Sequence, residues 1–156
     1  MNYYKMNHDV TEEDINNLDY ENKKVGVIIH IENNDGKMLL QQRGEKARDE
    51  NGKFEYVGGG VETTDNSYKE AMIREIKEEM GEDIKIEFFG TSDILHINKN
   101  DINYLFVIFK GKYINGKINV MEPEKCIGYR FFEYDEAINS EIVSEGCKFI
   151  MKSIKE

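Results

Sequence analysis

No apolar run in this 156-residue chain approaches the ~20 residues that cross a bilayer as a helix. No membrane partner is therefore expected. The opening stretch, M-N-Y-Y-K-M-N-H-D, lacks the apolar core of a secretory signal. Cysteine is scarce. Cys126 and Cys147 lie far apart with no metal-type spacing, and they read as two reduced thiols of a cytoplasmic protein. Bases are outnumbered, 21 Lys and Arg against 31 Asp and Glu, a formal charge of -10. The basic footprint that grips a nucleic-acid backbone is missing, so no nucleic acid polymer is expected as a partner. Acidity does not exclude a small anionic substrate, but it implies that divalent cations mediate contact with phosphates. What the chain does have is 39% hydrophobic residues, enough for one domain with a sizeable core.

Residues 1–22 are polar and read as an N-terminal extension in which Thr11-Glu12-Glu13-Asp14 caps a short helix. The main domain is expected over 23–156. Val25, Val27, Ile28, Ile29 and Ile31 predict a strand, Asn33-Asn34-Asp35-Gly36 a hairpin turn, and residues 37–43 the return strand. A polar loop follows over 44–52. A strand over 54–57 then runs into Gly58-Gly59-Gly60, read as a glycine loop. Ser67-Tyr68-Lys69-Glu70 has the capping pattern S-x-x-E, so a helix should start at Tyr68 and stop near Met80, with Gly81 as its terminator. Strands are predicted over 84–89, 92–97, 104–113 and 128–134, with turns at 98–101 and 115–116. Helices over 135–138 and 140–154 close the chain. The order of elements predicts an α+β fold, a mixed sheet with helices on its faces.

The helix carries a puzzle. Its segment R-E-I-K-E-E-M-G places Glu75, Glu78 and Glu79 at neighbouring helical positions, where like charges repel. At about 100° per residue, Met72, Ile73, Ile76 and Met80 fall on the core side. Glu75 and Glu79, an i, i+4 pair, flank that stripe. Either water solvates the acids or a cation sits among them. A solvated face with Arg74 and Lys77 as counter-charges is the plainer reading. The clustering on one arc, and the glycine stretch with its own Glu62 just ahead, favour a hard-oxygen site suited to magnesium or manganese.

These residues resemble a known family. Gly60-x5-Asn66-x7-Arg74-Glu75-Ile76-Lys77-Glu78-Glu79-Met80-Gly81 is similar to the Nudix box, G-x5-E-x7-R-E-U-x-E-E-x-G-U, with U bulky and apolar. The flanks agree: Leu39-Leu40-Gln41-Gln42-Arg43 is similar to the family's strand before the site. Residues 54–62, F-E-Y-V-G-G-G-V-E, look like W-E-x-P-G-G-x-V-E. Residues 122–132, E-P-E-K-C-I-G-Y-R-F-F, resemble a stretch of some nucleoside triphosphate hydrolases of the family. Three positions depart. Val57 replaces the proline and Glu82 the last apolar residue. The expected box acid falls on Asn66 counting back from Arg74, but on Asp65 counting forward from Gly59. The two counts differ by one, so the loop holds one extra residue by one of them; Asp65 can pair with Arg74 as an ion and Asn66 cannot.

The resemblance implies a MutT-like Nudix hydrolase with an α/β/α sandwich around a central mixed sheet. It implies metal-dependent hydrolysis of a diphosphate linkage in a nucleoside triphosphate or other nucleoside diphosphate-X, water attacking phosphorus. It points to Glu75, Glu78, Glu79 and the Gly59 carbonyl as ligands for Mg2+, with Mn2+ as a substitute. Arg74 then orients the glutamates, while Glu78, Glu122 or Glu124 is the candidate general base. Arg43 is the candidate phosphate contact. Glu124 and Phe131 are further substrate candidates, and Tyr129, Phe131 and Phe132 are candidates to stack on a base. The alternatives are a Nudix enzyme for ADP-ribose, a nucleotide sugar or a dinucleoside polyphosphate, or a nucleotide-binding module without catalysis. A homodimer is one assembly the family allows. His30 and His96, lone in apolar strands, read as satisfied core residues.

Overall fold

The computed structural model describes residues 1–44 and 52–156. Most of the polar loop expected over 44–52 therefore lies outside the described residues. The elements run β1 (Asn2–Tyr4), α1 (Glu12–Asn17), β2 (Lys23–Glu32), β3 (Met38–Arg43), β4 (Phe54–Glu55), β5 (Val57–Gly60) and α2 (Tyr68–Met80). They continue β6 (Lys85–Phe88), β7 (Asp93–Lys99), β8 (Ile102–Asn115), β9 (Cys126–Phe132), α3 (Tyr134–Ile138) and α4 (Glu145–Lys155).

The sheet is mixed. β2 and β8 run parallel, from Lys23 opposite Asn103 to Glu32 opposite Lys112. The other pairings are antiparallel: β1 with β7, β7 and β6 with β8, β5 with β2, and β4 and β9 with β3. The β2–β3 hairpin is paired only at its root, Glu32 opposite Met38. Beyond that point the two strands part, and β5 takes the place beside β2.

Period-two alternation divides the core between two faces. Val27, Ile29 and Ile31 of β2, Leu39 of β3 and Leu105, Val107 and Phe109 of β8 join α1 and α2 on one side. Met38, Leu40, Ile108 and Phe132 join α3 and α4 on the other. The result is an α/β/α sandwich, the α+β class read from the sequence. The hydroxyl of Ser67 accepts from the Glu70 N–H (3.0 Å), and Gly81 ends α2 at φ +87°, so both predicted helix signals act where they stand.

Several elements differ from expectation. The Gly58–Gly60 stretch is not a loop. It belongs to β5, with Gly58, Gly59 and Gly60 opposite Ile28, Val27 and Gly26. Ile73 is 38% exposed, whereas Ala71, Met72, Ile76 and Met80 are buried. The buried arc is centred on 71/72, 75/76 and 79/80, and Ile73 sits about 100° further round from Met72. β9 starts two residues earlier than predicted and ends at Phe132, because Tyr134 already belongs to α3. α4 begins at Glu145 instead of 140, since Val143 first bridges to Phe54.

Residues 1–22 lie against the sheet. β1 is its edge strand on β7, and Thr11 caps α1 with a reciprocal Asp14 box. Buried Asp93 accepts from the Tyr3 hydroxyl (2.8 Å) and the Met6 N–H (3.1 Å), and Ser92 Oγ accepts from Val10 N–H (2.8 Å). The two β-strand histidines are hydrogen-bonded core residues. His30 bridges the Tyr56 hydroxyl and Glu32 (both 2.8 Å), and His96 bonds Asn103 (2.8 Å).

Candidate active site

The site is built where α2 crosses β5. The buried arc that seats α2 on the sheet carries Glu75 and Glu79 inward with it, and Glu75 is only 9% exposed. Its carboxylate lies directly on Gly59, so that a Cβ at this position would overlap all of it. Glycine here is a requirement of close approach: strand backbone and helix carboxylate share the space a side chain would fill.

Arg74 ties the acids to the strand and the preceding loop. Its Nε and one terminal nitrogen donate to both oxygens of Asp65 (3.0 and 2.9 Å). The same nitrogen donates to the Gly60 carbonyl (2.8 Å). The other terminal nitrogen donates to Glu75 (2.9 Å) and Glu78 (3.2 Å), and Glu62 stands 3.5 Å from it. Asp65 is itself fixed by accepting from the Glu62 N–H (2.8 Å). The ambiguity in the box acid thus resolves geometrically onto Asp65, and the loop does hold one residue more than the motif. The bidentate Arg74 pair holds the Asp65 carboxyl below its ordinary value and raises that of the arginine.

Glu79 is the least satisfied member. Its Oε2 is buried without a hydrogen-bond partner. Burial first, then the charges of Glu75 and Glu122, push its carboxyl up to about 8. Burial also raises Glu75, with Arg74 opposing. A partnerless buried carboxylate oxygen beside a second carboxylate is a site short of positive charge. Among the described residues no three Asp, Glu, His or Cys side chains are already placed to hold an ion together. Arg74 instead spans Glu75 and Glu78. The donor set itself, all oxygen and acidic with one oxygen unmatched, fits a hard divalent cation.

Glu75, Glu78, Glu79 and Gly59 line one cleft of about 600 Å3. Glu122 and Lys125 line it too, from the segment between β8 and β9. Beside it lies a second cavity of about 630 Å3, mainly apolar, which reaches Leu95, Tyr104, Cys147 and Ile150. The two share a wall of Ile28, Arg43, Glu55, Tyr56 and Phe106. Arg43 stands at that junction, paired with Glu55.

Other candidates fall elsewhere. Glu124 is exposed and does not line the cleft, because the turn that bonds the Lys125 and Cys126 N–H groups to the Glu122 carbonyl (3.0 Å each) presents Glu122 instead. Phe131 lines neither cavity; its ring packs on Tyr113 with centroids 5.6 Å apart. Phe132 is core, edge-on to Phe54. Tyr129 donates its hydroxyl to the Glu79 carbonyl (2.8 Å), bracing the end of α2. The aromatic wall is formed instead by Tyr56, Tyr104 and Phe106. None of the three is a candidate from sequence; alternation along β8, which sends Tyr104 and Phe106 to the face opposite Leu105 and Val107, is the available signal for two of them.

A family model of the Nudix domain matches residues 22–150. A CTP pyrophosphohydrolase of Escherichia coli is 42% identical over 59 residues, 38% of this chain and 42% of that protein, so the match spans less than half of the relative's length. Among solved structures, a MutT protein from Methanosarcina mazei superposes with a TM-score of 0.71 at 22% identity, covering 88% of this chain and 96% of that one. The Nudix domain of Shewanella oneidensis NrtR, solved with ADP-ribose, gives 0.67 at 15% identity, covering 94% and 97%. Among the described residues no helix is long and apolar enough to cross a membrane.

Proposed function

The chain belongs to the Nudix domain family, and from that membership we propose that it is a metal-dependent hydrolase of a diphosphate linkage in a nucleoside triphosphate or related nucleoside diphosphate-X. The observation that carries this reading is the buried, partnerless Glu79 oxygen beside Glu75, in a cleft that adjoins an apolar cavity. Glu75, Glu78, Glu79 and the Gly59 carbonyl would hold Mg2+, or Mn2+ in its place. The ion would neutralise phosphate oxygens and acidify the attacking water.

The chain's own groups divide the remaining work. Arg74 and Asp65 are positioning residues: they fix the helix acids against β5 and touch no substrate. Arg43, at the junction, is the phosphate contact nearest the nucleoside. Tyr56, Tyr104 and Phe106 offer aromatic faces to a base. Glu122 or Glu78 is available to accept a proton from water, since each lines the cleft with a carboxylate. The partial likeness to a CTP pyrophosphohydrolase makes CTP the first substrate to try. A second reading, a nucleotide-binding module without turnover, draws on the likeness to the ADP-ribose-bound NrtR domain.

Phosphate-product release from nucleoside triphosphates, oxidised triphosphates, ADP-ribose and dinucleoside polyphosphates separates the two. The hydrolase reading expects turnover with magnesium or manganese, none with chelator, and a fall of about a hundredfold or more in Glu79→Ala. Tight binding of a nucleotide with no turnover on the panel would favour the binding module.

A further inference from the structure

We propose that Lys125 is a substrate-contacting residue that binds the outer phosphates of a nucleoside triphosphate, exchanging Glu122 for a phosphate oxygen. This rests on the reading that a nucleotide occupies the two joined cavities.

Among the described residues, Arg43 and Lys125 are the two cations lining the acidic cleft. Arg74 is spent on Asp65, Glu75, Glu78 and the Gly60 carbonyl. The positions of the two cleft cations differ. Arg43 also lines the apolar cavity, whereas Lys125 lines the acidic cleft alone. A nucleotide with its base in the apolar cavity meets Arg43 first and Lys125 further along its phosphate chain.

Their pairings differ as well. Arg43 is held by Glu55 with both side chains three-quarters or more buried. Lys125 meets Glu122 at 3.2 Å, across an i, i+3 turn, with side chains 66% and 35% exposed. An exposed pair of this kind contributes little and yields readily to a stronger partner. A phosphate oxygen bearing full negative charge is such a partner, and the flexible four-carbon stem of lysine allows the swing. Glu122 first, and then Glu79 and Glu75 of the same cleft, raise the Lys125 amine above its ordinary value.

Calorimetric binding to the full chain in magnesium tests this with two probes, the α,β-methylene analogue of CTP and CMP. For Lys125→Met, which keeps an apolar stem of similar length, the triphosphate analogue should bind about tenfold more weakly, the size of one charge-assisted hydrogen bond. CMP should bind as to the wild type, because it ends at the phosphate nearest Arg43. Lys125→Arg should restore binding of the analogue to within about threefold. Equal affinity of the wild type and Lys125→Met for the analogue would overturn the proposal and leave the hydrolase reading standing. So would an equal loss for CMP and the analogue, which would indicate a general disturbance of the turn. Failure of the wild type to bind either probe would overturn the nucleotide reading and this proposal together.

Discussion

Arg74 and Glu79 stand for two ways in which a single residue serves the site. Arg74 answers the like-charge repulsion of the helix: one guanidinium meets Asp65, Glu75 and Glu78 within 3.2 Å. Glu79 is left unanswered. Asp65→Asn should lower kcat by about tenfold to a hundredfold, since misplacing catalytic groups by ~1 Å can cost about a hundredfold. Asn66→Ala should leave it unchanged. Steady-state kinetics on the two variants distinguishes the residue that pairs with Arg74 from the one selected by counting back from it. The raised Glu79 carboxyl has a thermodynamic consequence for the metal-free protein. Its folded value of about 8 lies above the ordinary 4.5, so the folded state holds a proton that the unfolded state releases. That contribution to stability is complete below about 4.5 and is lost as pH rises towards about 8. Thermal melting in chelator should show Tm falling across this window, and Glu79→Gln should flatten the fall. An unchanged slope in the variant would show that other groups govern it.

At the level of elements, the contact between α2 and β5 is the decisive one. Gly59→Ala should displace the Glu75 carboxylate and remove activity while leaving the remaining strands paired. On α2 itself, Met72→Ala should destabilise by about 2–5 kcal/mol and Ile73→Ala by less than about 0.5 kcal/mol. Chemical denaturation of the pair checks which side of the helix is core. The boundaries of α2 were legible because Ser67 and Gly81 act locally, through one hydrogen bond and one positive φ. The fate of Ile73 was not legible, because the wheel gives a stripe but the sheet decides where the stripe is centred. The glycine stretch read as a loop for a related reason. Three glycines have no strand propensity of their own, and β5 exists because β2 supplies its partners and the helix acids need the space above it. The choice between Asp65 and Asn66 likewise depended on loop geometry that spacing alone leaves open.

Across the whole molecule, the sheet brings distant segments to one place. β3 supplies Arg43, β4 Glu55, β5 the glycines, α2 the acids, β8 Phe106, and the 116–125 segment Glu122 and Lys125. The α2 acids and Arg43 are singled out by the sequence pattern, and the structure brings them to one cleft. The aromatic wall is not singled out, since cavity-lining and core aromatics look alike in sequence until the layers are assembled. Phe131, a candidate by type, went to the packing beneath α2, while Tyr104 and Phe106 came to the cavity.

The claim on which the rest depends is that the α2 glutamates form a divalent-cation site. Titrating manganese into wild type and Glu79→Ala, followed by the paramagnetic signal of the free ion, tests it without reference to any substrate. The account predicts saturable binding that weakens more than about tenfold in the variant. Equal binding by the two proteins, with both folded, would contradict it.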